Sequence, residues 1–239
     1  MTNFRLNPDL DLATLAREYS TAGRVRINDL LDRDGVIDLW EHLETRADWW
    51  QLINTPDGVL EYDRATLAAM DAGQRAALDE QVFENARLGF QYRYEGLRVP
   101  EEELGGPDDL LGAFAQLMSS APMLDMLRTV TGYQELAFTD GHATAYGPGD
   151  FLTGHDDDVP GKDRLAAYVF GVTPAWRPEW GGLLLFHAPD DAFVSGNVPR
   201  FNTLDLFAVP QRHSVSIVTP SAARRRYAVT GWLRKGARQ

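Results

Sequence analysis

Apolar residues in the first half of the chain recur mainly at helical spacing. Leu12, Leu15 and Tyr19 follow one another three and four positions apart, which is typical of one face of an amphipathic helix. A second helix carries Leu39, and Asp32 or Asp34 could cap it. The pattern predicts helices after residue 8, after residue 34, and over residues 64–92 and 108–130, with short strands at 24–27, 48–54 and 59–62.

From Gln134 onward the pattern changes to short apolar runs that are separated by Gly, Pro, Asp and Asn. The runs are ELAFT, HATAY, RLAAYVFGV, GLLLF, TLDLFAV, SVSIV and RYAVTGWL. Closely spaced strands of this kind are typical of a sandwich or jelly roll. We therefore predict an α+β fold, with a jelly-roll (double-stranded β-helix) core and a helical N-terminal half packed on one sheet. No repeat or linker divides the chain, so residues 1–239 are predicted to form one domain, with 1–131 as helical support and 132–239 as the catalytic core.

Composition narrows the chemistry. The 239 residues include no cysteine, which excludes disulfides, thiolate nucleophiles and cysteine metal sites, so nitrogen and oxygen must hold any metal. The formal net charge of −12 argues against a nucleic-acid binder. The N-terminus lacks a basic segment followed by an apolar one, and no apolar run approaches about 18 residues. We therefore expect no membrane span and, by default, a cytoplasmic location.

The β half contains a pair of residues that could bind one metal ion. His155 and Asp157 form a His-x-Asp pair, and residues two apart on a strand point to the same face. Two histidines and a carboxylate with open coordination positions suit non-haem iron(II) that must also bind a cosubstrate and oxygen. His213 is the best third ligand, because it begins a predicted strand 56 residues after Asp157 and leaves room for intervening strands.

Three other histidines compete for the third position. His42 lies in a predicted helix and His187 beside a Pro-Asp-Asp loop, positions that are more typical of surface or core histidines. His142 lies one strand before the His-x-Asp pair and stays a serious alternative. A His-x-Asp pair alone is common by chance, and Asp156 and Asp158 could simply belong to a solvated acidic turn. The decision therefore depends on the surrounding motifs.

Four motifs follow one another in a fixed order. They are Tyr146-Gly-Pro-Gly-Asp150, His155-x-Asp157, Trp180-Gly-Gly-Leu-Leu-Leu-Phe186, and His213-Ser-Val with the closing Arg226-Tyr-Ala-Val-Thr-Gly-Trp-Leu. With this order the chain resembles the prolyl-4-hydroxylase-like branch of the iron(II)/2-oxoglutarate-dependent oxygenases. The resemblance covers about residues 140–234. The segment AREYSTAGRVRINDLLDRDGVIDLWEHL is also similar to the N-terminal region of such enzymes.

The resemblance implies a dioxygenase that uses iron(II), 2-oxoglutarate and oxygen, with ascorbate as a candidate reductant. It implies that 2-oxoglutarate is converted to succinate and CO2 while an aliphatic C–H bond of the substrate is hydroxylated. His155, Asp157 and His213 would bind the iron. Halogenating relatives lack the carboxylate ligand, so the presence of Asp157 favours hydroxylation.

The resemblance also implies a pocket for the cosubstrate. Arg226 matches the basic residue that binds the far carboxylate of 2-oxoglutarate, for which a planar guanidinium is well suited. Thr230, on the same strand face, is expected to add a hydrogen bond to the same carboxylate, and Tyr146 matches a tyrosine that lines the pocket. The 13 residues from His213 to Arg226 are a longer interval than usual, which leaves Arg224 as an alternative.

One position departs from the family pattern. A tyrosine that faces the cosubstrate in many relatives falls on Gly171, and Tyr168 is expected to face the helices. We therefore expect either a roomier pocket or a larger contribution from Tyr146.

The substrate stays open at this stage. The first hypothesis is hydroxylation of a protein or peptide at proline, and the second is hydroxylation of a free amino acid or another small metabolite. A non-catalytic jelly-roll binding module is a third hypothesis, against which the intact metal and arginine residues argue. The acidic composition slightly favours a basic protein partner.

Aromatic residues offer candidate substrate contacts. Trp176 and Trp180 flank a turn at the expected rim of the core, and residues 48–54 and 92–103 lie where substrate-covering loops occur in relatives. The remaining aromatic residues of the first half are interpreted mainly as core. They are Trp49, Trp50, Phe90, Tyr92 and Tyr94.

Overall fold

A computed structural model describes residues 4–99, 109–190 and 192–236. The helices in these ranges are α1 (Leu12–Ala22), α2 (Arg33–Thr45), α3 (Arg64–Ala69), α4 (Ala72–Leu88), α5 (Leu110–Met118) and α6 (Ala121–Thr131), with a 3₁₀ turn at Pro178–Trp180. The strands are β1 (Arg24–Asn28), β2 (Trp50–Thr55), β3 (Gly58–Asp63), β4 (Tyr92–Arg98), β5 (Leu136–Tyr146), β6 (Phe151–His155), β7 (Arg164–Gly171), β8 (Leu184–His187), β9 (Val194–Asn197), β10 (Thr203–Ala208), β11 (His213–Val215) and β12 (Arg226–Lys235).

Local sequence signals set the helix ends. Asp32 is the residue that caps α2, since its side chain accepts a hydrogen bond from the backbone N–H of Asp34. Asp71 and Gln74 form a reciprocal capping box at the start of α4. Helix α1 ends at Gly23, whose φ of 66° lies in the left-handed region that glycine adopts without a side-chain clash.

The strands form one curled antiparallel sheet. Its order is β1-β10-β7-β12-β5-β4-β6-β11-β8-β9, and the β2–β3 hairpin joins it through β4. Strand β4 connects the two halves, because it pairs with β5 through residues 95–98 and with β6 through residues 92 and 93. The sheet therefore folds over on itself and encloses an inner face. This is the predicted α+β architecture with a jelly-roll core.

Four helices cover the outer face of the larger half of the sheet. Leu39 from α2, Phe114 from α5 and Leu127 from α6 are fully buried in one core with Phe170 of β7. The rings of Phe114 and Phe170 stack with centroids 4.9 Å apart. Burial of each such side chain contributes about 1.5–3 kcal/mol, so the helices hold the sheet from outside and leave its inner face free. Among the described residues no single helix is long and apolar enough to span a membrane, and only the bent pair α5–α6 reaches that length and composition together.

The first half of the chain contains more strand than predicted. Most of residues 64–92 is helical in α3 and α4, as predicted, but α4 ends at Leu88 and the strand that follows, β4, was not predicted. Strand β4 was missed because it buries charged residues, Arg93 and Glu95, where a strand pattern would place apolar ones. Strand β9 was also missed, and the predicted strands ELAFT and HATAY form the single strand β5. The N-terminal half thus supplies four strands of the sheet as well as its helical cover.

Candidate metal and cosubstrate site

Three side chains on the inner face lie close enough together to bind one metal ion. They are His155, Asp157 and His213, whose ligand atoms all lie within 4.8 Å of one another. The Nε2 atom of His155 is 3.7 Å from Asp157 Oδ1, and that of His213 is 3.6 Å from Asp157 Oδ2. The structure therefore brings the three predicted residues together.

Neighbouring strands position the two histidines. His155 ends β6, His213 begins β11, and the two residues are directly paired, with ring centroids 4.1 Å apart. Their Nδ1 atoms lie 3.1 Å and 2.8 Å from the backbone carbonyl oxygens of Thr153 and Gln211. Because a carbonyl only accepts, each Nδ1 must carry the proton and each Nε2 keeps a lone pair for a metal. Burial, with the adjacent His155, also lowers the pKa of His213 to about 4, which keeps this ring neutral.

Asp157 reaches the histidines in a different way from the one predicted. Strand β6 ends at His155, and Asp157 has a φ of 64°, in the left-handed region. The argument from strand alternation was therefore wrong, although the side chains do meet. Arg164 donates from Nη1 to the Asp157 carbonyl at 3.0 Å and lies 3.5 Å from its carboxylate. This contact holds a conformation that costs a non-glycine residue of order 1–3 kcal/mol.

The other candidate histidines lie elsewhere. His42, on α2, is 3.7 Å from an Asp109 oxygen, and the Nε2 of His187, on β8, is 2.8 Å from the Ser214 hydroxyl. His142 is on β5 and lines the same cavity as the three metal-binding candidates, but it is not part of their cluster. The structure therefore groups His213, and none of the three rivals, with the His-x-Asp pair.

A cavity of about 590 Å³ connects the metal-binding candidates with Arg226. Arg226 begins β12 opposite Tyr146, is only 4% exposed, and has its guanidinium carbon 5.4 Å from the Tyr146 ring centroid. Its Nη1 atom is buried without a hydrogen-bond partner among the described residues. Buried donors are normally paired, so this one is available to an anionic ligand.

The neighbouring arginines face other surroundings. Arg224 is exposed, and Arg225 forms an ion pair with Glu95 at 2.9 Å, on the other side of the sheet. Burial lowers the pKa of Arg226 from its usual value, but a guanidinium stays charged in proteins. Of the two residues that the sequence left open, Arg226 is the one that lines the cavity.

Tyr146 and Thr230 also line the cavity. Tyr146 stacks on Tyr94 with ring centroids 5.2 Å apart, and burial raises its pKa. Thr230 is four residues beyond Arg226 on a continuous strand, a distance of about 13 Å along the chain. Both residues line the same cavity, and the expected hydrogen bond from Thr230 to the far carboxylate stays a prediction.

The position of Gly171 is not an empty space. The carbonyl oxygen of Arg200 occupies the place that a Cβ at Gly171 would take, so no larger side chain fits there. Tyr168 packs into the helix-covered core, as predicted, and its hydroxyl donates to the Asp140 carbonyl at 3.1 Å. The expectation of a roomier pocket at this point is therefore wrong.

The turn between β5 and β6 fixes Tyr146 relative to His155. The Asp150 carboxylate closes this turn by accepting a hydrogen bond from the Gly147 N–H at 2.8 Å, and it also accepts one from Gln51 at 3.2 Å. Arg93 donates to the Gly149 carbonyl at 2.8 Å and lies 3.4 Å from Asp150. Burial raises the pKa of Asp150 to about 7.

Several residues of the site were not predicted from the sequence. Phe90, Tyr92 and Tyr94, which were interpreted as core, line the cavity, and Phe90 is 49% exposed with its ring 5.7 Å from that of His155. Arg164 stacks on Trp232, its guanidinium carbon 3.6 Å from the ring centroid. The alternation of aromatic and charged residues in YRYEGLR was the available signal for β4.

The other aromatic predictions had mixed outcomes. Trp49 is fully buried, as predicted, whereas Trp50 is exposed. Trp176 and Trp180 contact each other edge to face at 5.2 Å, and neither lines the cavity.

A groove of about 1000 Å³ continues from the mouth of the cavity. It shares four lining residues with the cavity, namely Tyr92, Tyr94, His142 and Trp232. From there it runs over β2 to Asp48 and Trp50. Residues 48–54, predicted to cover the substrate, thus lie along the groove, as do residues 92–99 of the second predicted segment, while residues 100–103 fall outside the described residues.

Residues 141–234, which carry the metal-binding candidates and Arg226, match the family model of the 2OG-Fe(II) oxygenase superfamily. The match covers less than half of the chain and identifies residues 141–234 as a 2OG-Fe(II) oxygenase domain. The family of this domain uses iron(II) as cofactor and 2-oxoglutarate as cosubstrate. No curated protein sequence matches the chain significantly.

Solved structures with low sequence identity share the fold. A Pseudomonas putida prolyl-4-hydroxylase is 17% identical over 95% of this chain and 100% of its own, with a TM-score of 0.63. A Trichoplax adhaerens prolyl hydroxylase, in complex with a peptide fragment of the hypoxia inducible factor oxygen degradation domain, is 16% identical over 94% of this chain and 89% of its own (TM-score 0.61). The α-ketoglutarate-dependent epimerase SnoN from nogalamycin biosynthesis is 12% identical over 92% and 81%, respectively (TM-score 0.56). At these identities the likeness confirms the oxygenase fold and leaves the substrate open.

The residues present fit the cofactor and the cosubstrate. Two imidazole nitrogens and one carboxylate form the donor set typical of non-haem iron(II) oxygenases. The unpaired guanidinium nitrogen of Arg226 offers the donor that a buried carboxylate requires. Both features lie in one cavity of the oxygenase fold.

Proposed function

We propose that this oxygenase hydroxylates a prolyl residue of a protein or peptide, with His155, Asp157 and His213 as iron ligands. The observation that carries the proposal is the cavity that joins these residues to Arg226, whose Nη1 atom has no hydrogen-bond partner among the described residues. When bound, iron(II) would allow molecular oxygen to act as the oxidant: one oxygen atom would enter the hydroxyl group formed at an aliphatic C–H bond, and the other would enter succinate as 2-oxoglutarate loses CO2.

The chain's own residues prepare the site for this chemistry. The carbonyls of Thr153 and Gln211 orient the two imidazoles, so their lone pairs do not have to reorganise when the metal binds. Arg164 fixes the turn that presents the Asp157 carboxylate. Arg226 would bind the far carboxylate of 2-oxoglutarate beside Tyr146, which fixes the direction of the cosubstrate in the cavity.

Exposed apolar side chains around the mouth favour a polypeptide substrate. Phe90 and Val159 line the cavity and are 49% and 45% exposed, while Trp50 and Val59 line the neighbouring groove and are exposed to a similar degree. Exposed apolar groups gathered in one place are typical of an interaction surface. The groove extends this surface beyond what a free amino acid would occupy. The prolyl hydroxylase names of two similar structures support the choice of residue.

A free amino acid or small metabolite is the second candidate, and Arg164 is the observation that favours it. Its Nε atom is buried without a hydrogen-bond partner among the described residues, close to Asp157. Such a group could bind the carboxylate of a small substrate next to the metal. The match of residues 141–234 to an oxygenase family gives no support to the third hypothesis, a non-catalytic binding module.

Two measurements test the proposal in sequence. Anaerobic addition of iron(II) and 2-oxoglutarate should produce a metal-to-cosubstrate charge-transfer band, and its absence would refute the assignment of the site. Succinate formation should then be stimulated by proline-containing peptides more strongly than by free proline or other amino acids. Stimulation by free amino acids alone would reject the polypeptide substrate and favour the second candidate.

A further inference from the structure

His142 lies where the metal cavity and the groove meet, and the function proposed above does not use it. It is on β5, directly paired with Thr230 of β12, and it lines both spaces. Its ring lies beside that of Trp232, with centroids 6.1 Å apart and an interplanar angle of 33°. The pairing and the ring contact hold the imidazole against the cavity wall.

The register of β5 and β12 places this pair in the middle of the inner face. Directly opposite residues of an antiparallel pair share a face, so four pairs follow one another along this face of the two strands. They are Arg226–Tyr146, Ala228–Thr144, Thr230–His142 and Trp232–Asp140. Trp232 contacts Arg164, which in turn contacts Asp157, so the Thr230–His142 pair lies between the Arg226 end and the metal end.

The imidazole of His142 has one polar partner among the described residues. Its Nε2 lies 3.5 Å from Thr230 Oγ1, the outer limit of a hydrogen bond, and it takes part in no ion pair within the described ranges. Burial lowers the pKa of His142 to about 4. The ring is therefore neutral near pH 7 and has one donor nitrogen and one acceptor nitrogen.

An anion in the cavity decides the direction of this hydrogen bond. The carboxylate and carbonyl oxygens of 2-oxoglutarate only accept, so a hydroxyl that contacts them must donate its single proton to them. The Thr230 oxygen must then accept from its other neighbour, which is Nε2 of His142. The opposite direction would turn the lone pairs of Thr230 toward an anion, which is repulsive in a buried cavity.

We propose that His142 donates through Nε2–H to the Thr230 hydroxyl and so directs the Thr230 proton toward bound 2-oxoglutarate. In this arrangement His142 is a positioning residue, and Thr230 is the residue that touches the cosubstrate. The inference rests on the function proposed above, because it needs 2-oxoglutarate in the cavity.

A double-mutant cycle on 2-oxoglutarate binding tests the relay. The affinity is measured for the wild type, His142→Phe, Thr230→Val and the double variant, by anaerobic titration of the iron(II) protein followed by the charge-transfer band. His142→Phe keeps a ring but removes the donor, so we expect binding to weaken about 5- to 20-fold. In the Thr230→Val background the same change should have little further effect. His142→Gln, whose amide can donate to the same hydroxyl, should bind within about threefold of the wild type.

The controls separate this inference from simpler explanations. His42→Phe makes the same replacement on α2, outside the cavity, and should leave the affinity unchanged. Equal weakening by His142→Phe with and without Thr230 would show a packing effect and overturn the relay, and so would wild-type affinity of His142→Phe. Loss of iron binding by His142→Phe, measured without 2-oxoglutarate, would place His142 in the metal site and also overturn it. A wild type that binds iron without developing the band would refute the proposed function itself.

Discussion

Replacement of Arg226 by methionine should separate cosubstrate binding from protein stability. In the ligand-free protein the Arg226 guanidinium is buried, and no hydrogen bond or ion pair to it is formed within the described ranges, so its removal breaks no polar pair. Methionine is also unbranched and of similar length, which limits the cavity it leaves. The variant loses the contact of the guanidinium with the Tyr146 ring, which contributes about 1–2 kcal/mol to stability. It also avoids the cost of burying the guanidinium charge, which is several kcal/mol. We therefore expect the free energy of unfolding to stay the same or to rise.

The same replacement should strongly weaken the binding of 2-oxoglutarate, although it leaves the stability of the ligand-free protein unchanged or higher. Removal of one member of a buried ion pair costs about 3–5 kcal/mol, because the other charge is left without a partner. This corresponds to a loss of affinity of about 10²- to 5 × 10³-fold. Urea unfolding of the ligand-free protein measures the first effect, and anaerobic titration with 2-oxoglutarate measures the second.

Arg224 provides the matched control for this experiment. It is exposed two residues before Arg226, so Arg224→Met should change the affinity for 2-oxoglutarate less than about twofold. Equal losses of affinity in both variants would show that the cavity is not the cosubstrate site. Destabilisation of the ligand-free Arg226→Met protein by more than about 2 kcal/mol would show that Arg226 is a structural residue.

Three further predictions concern the metal, the turn before β6 and the mouth. Asp157→Ala should abolish iron binding, measured by metal content after dialysis, while Asp156→Ala should bind iron as the wild type does; retention of iron by Asp157→Ala would remove Asp157 from the site. Because burial raises the pKa of Asp150 from 3.8 to about 7, the native state binds a proton that the unfolded state releases, so stability should fall as pH rises from about 4 to 7, by at most about 4 kcal/mol. Asp150→Asn should lack this component in melting curves, and identical pH profiles would contradict it. Phe90→Ser should lower the efficiency of peptide-stimulated succinate formation about tenfold with unchanged 2-oxoglutarate affinity; equal loss of both would place Phe90 in the cosubstrate pocket.

The sequence predicted those parts of the site that depend on strand order and side-chain type. The jelly-roll core followed from the spacing of apolar runs, and His213 was chosen because it begins a strand. The same reasoning could not describe Asp157, because its position depends on a left-handed turn beyond the strand end. The local sequence does not predict such a turn at a non-glycine residue, because the contact that stabilises it, with Arg164, forms only in the folded protein.

Strand β4 shows why a strand with buried charged residues is not recognised from the pattern of apolar and polar positions. Glu95 is 1% exposed because Arg64 and Arg225 both pair with it, at 2.8 Å and 2.9 Å. These partners lie 31 and 130 residues away along the chain. The local sequence of β4 is therefore that of a polar segment, whereas in the folded protein its charged residues belong to a buried ion-pair network. The aromatic residues that alternate with these charges face the cavity. Because the strand itself was not predicted, its contribution to the site was not predicted either.

Strand β12 shows how one segment can serve both stability and function. Tyr227, Val229 and Leu233 alternate on its outer face and are buried in the core with the helices. Arg226 and Thr230 alternate with them on the inner face and line the cavity. Because strand side chains alternate with a period of two, a slip of one residue would exchange the two sets. The helices that bury the outer set therefore fix the register of the inner set, and with it the place of the guanidinium and the hydroxyl in the cavity. Function at Arg226 thus depends on apolar packing on the opposite face of its own strand.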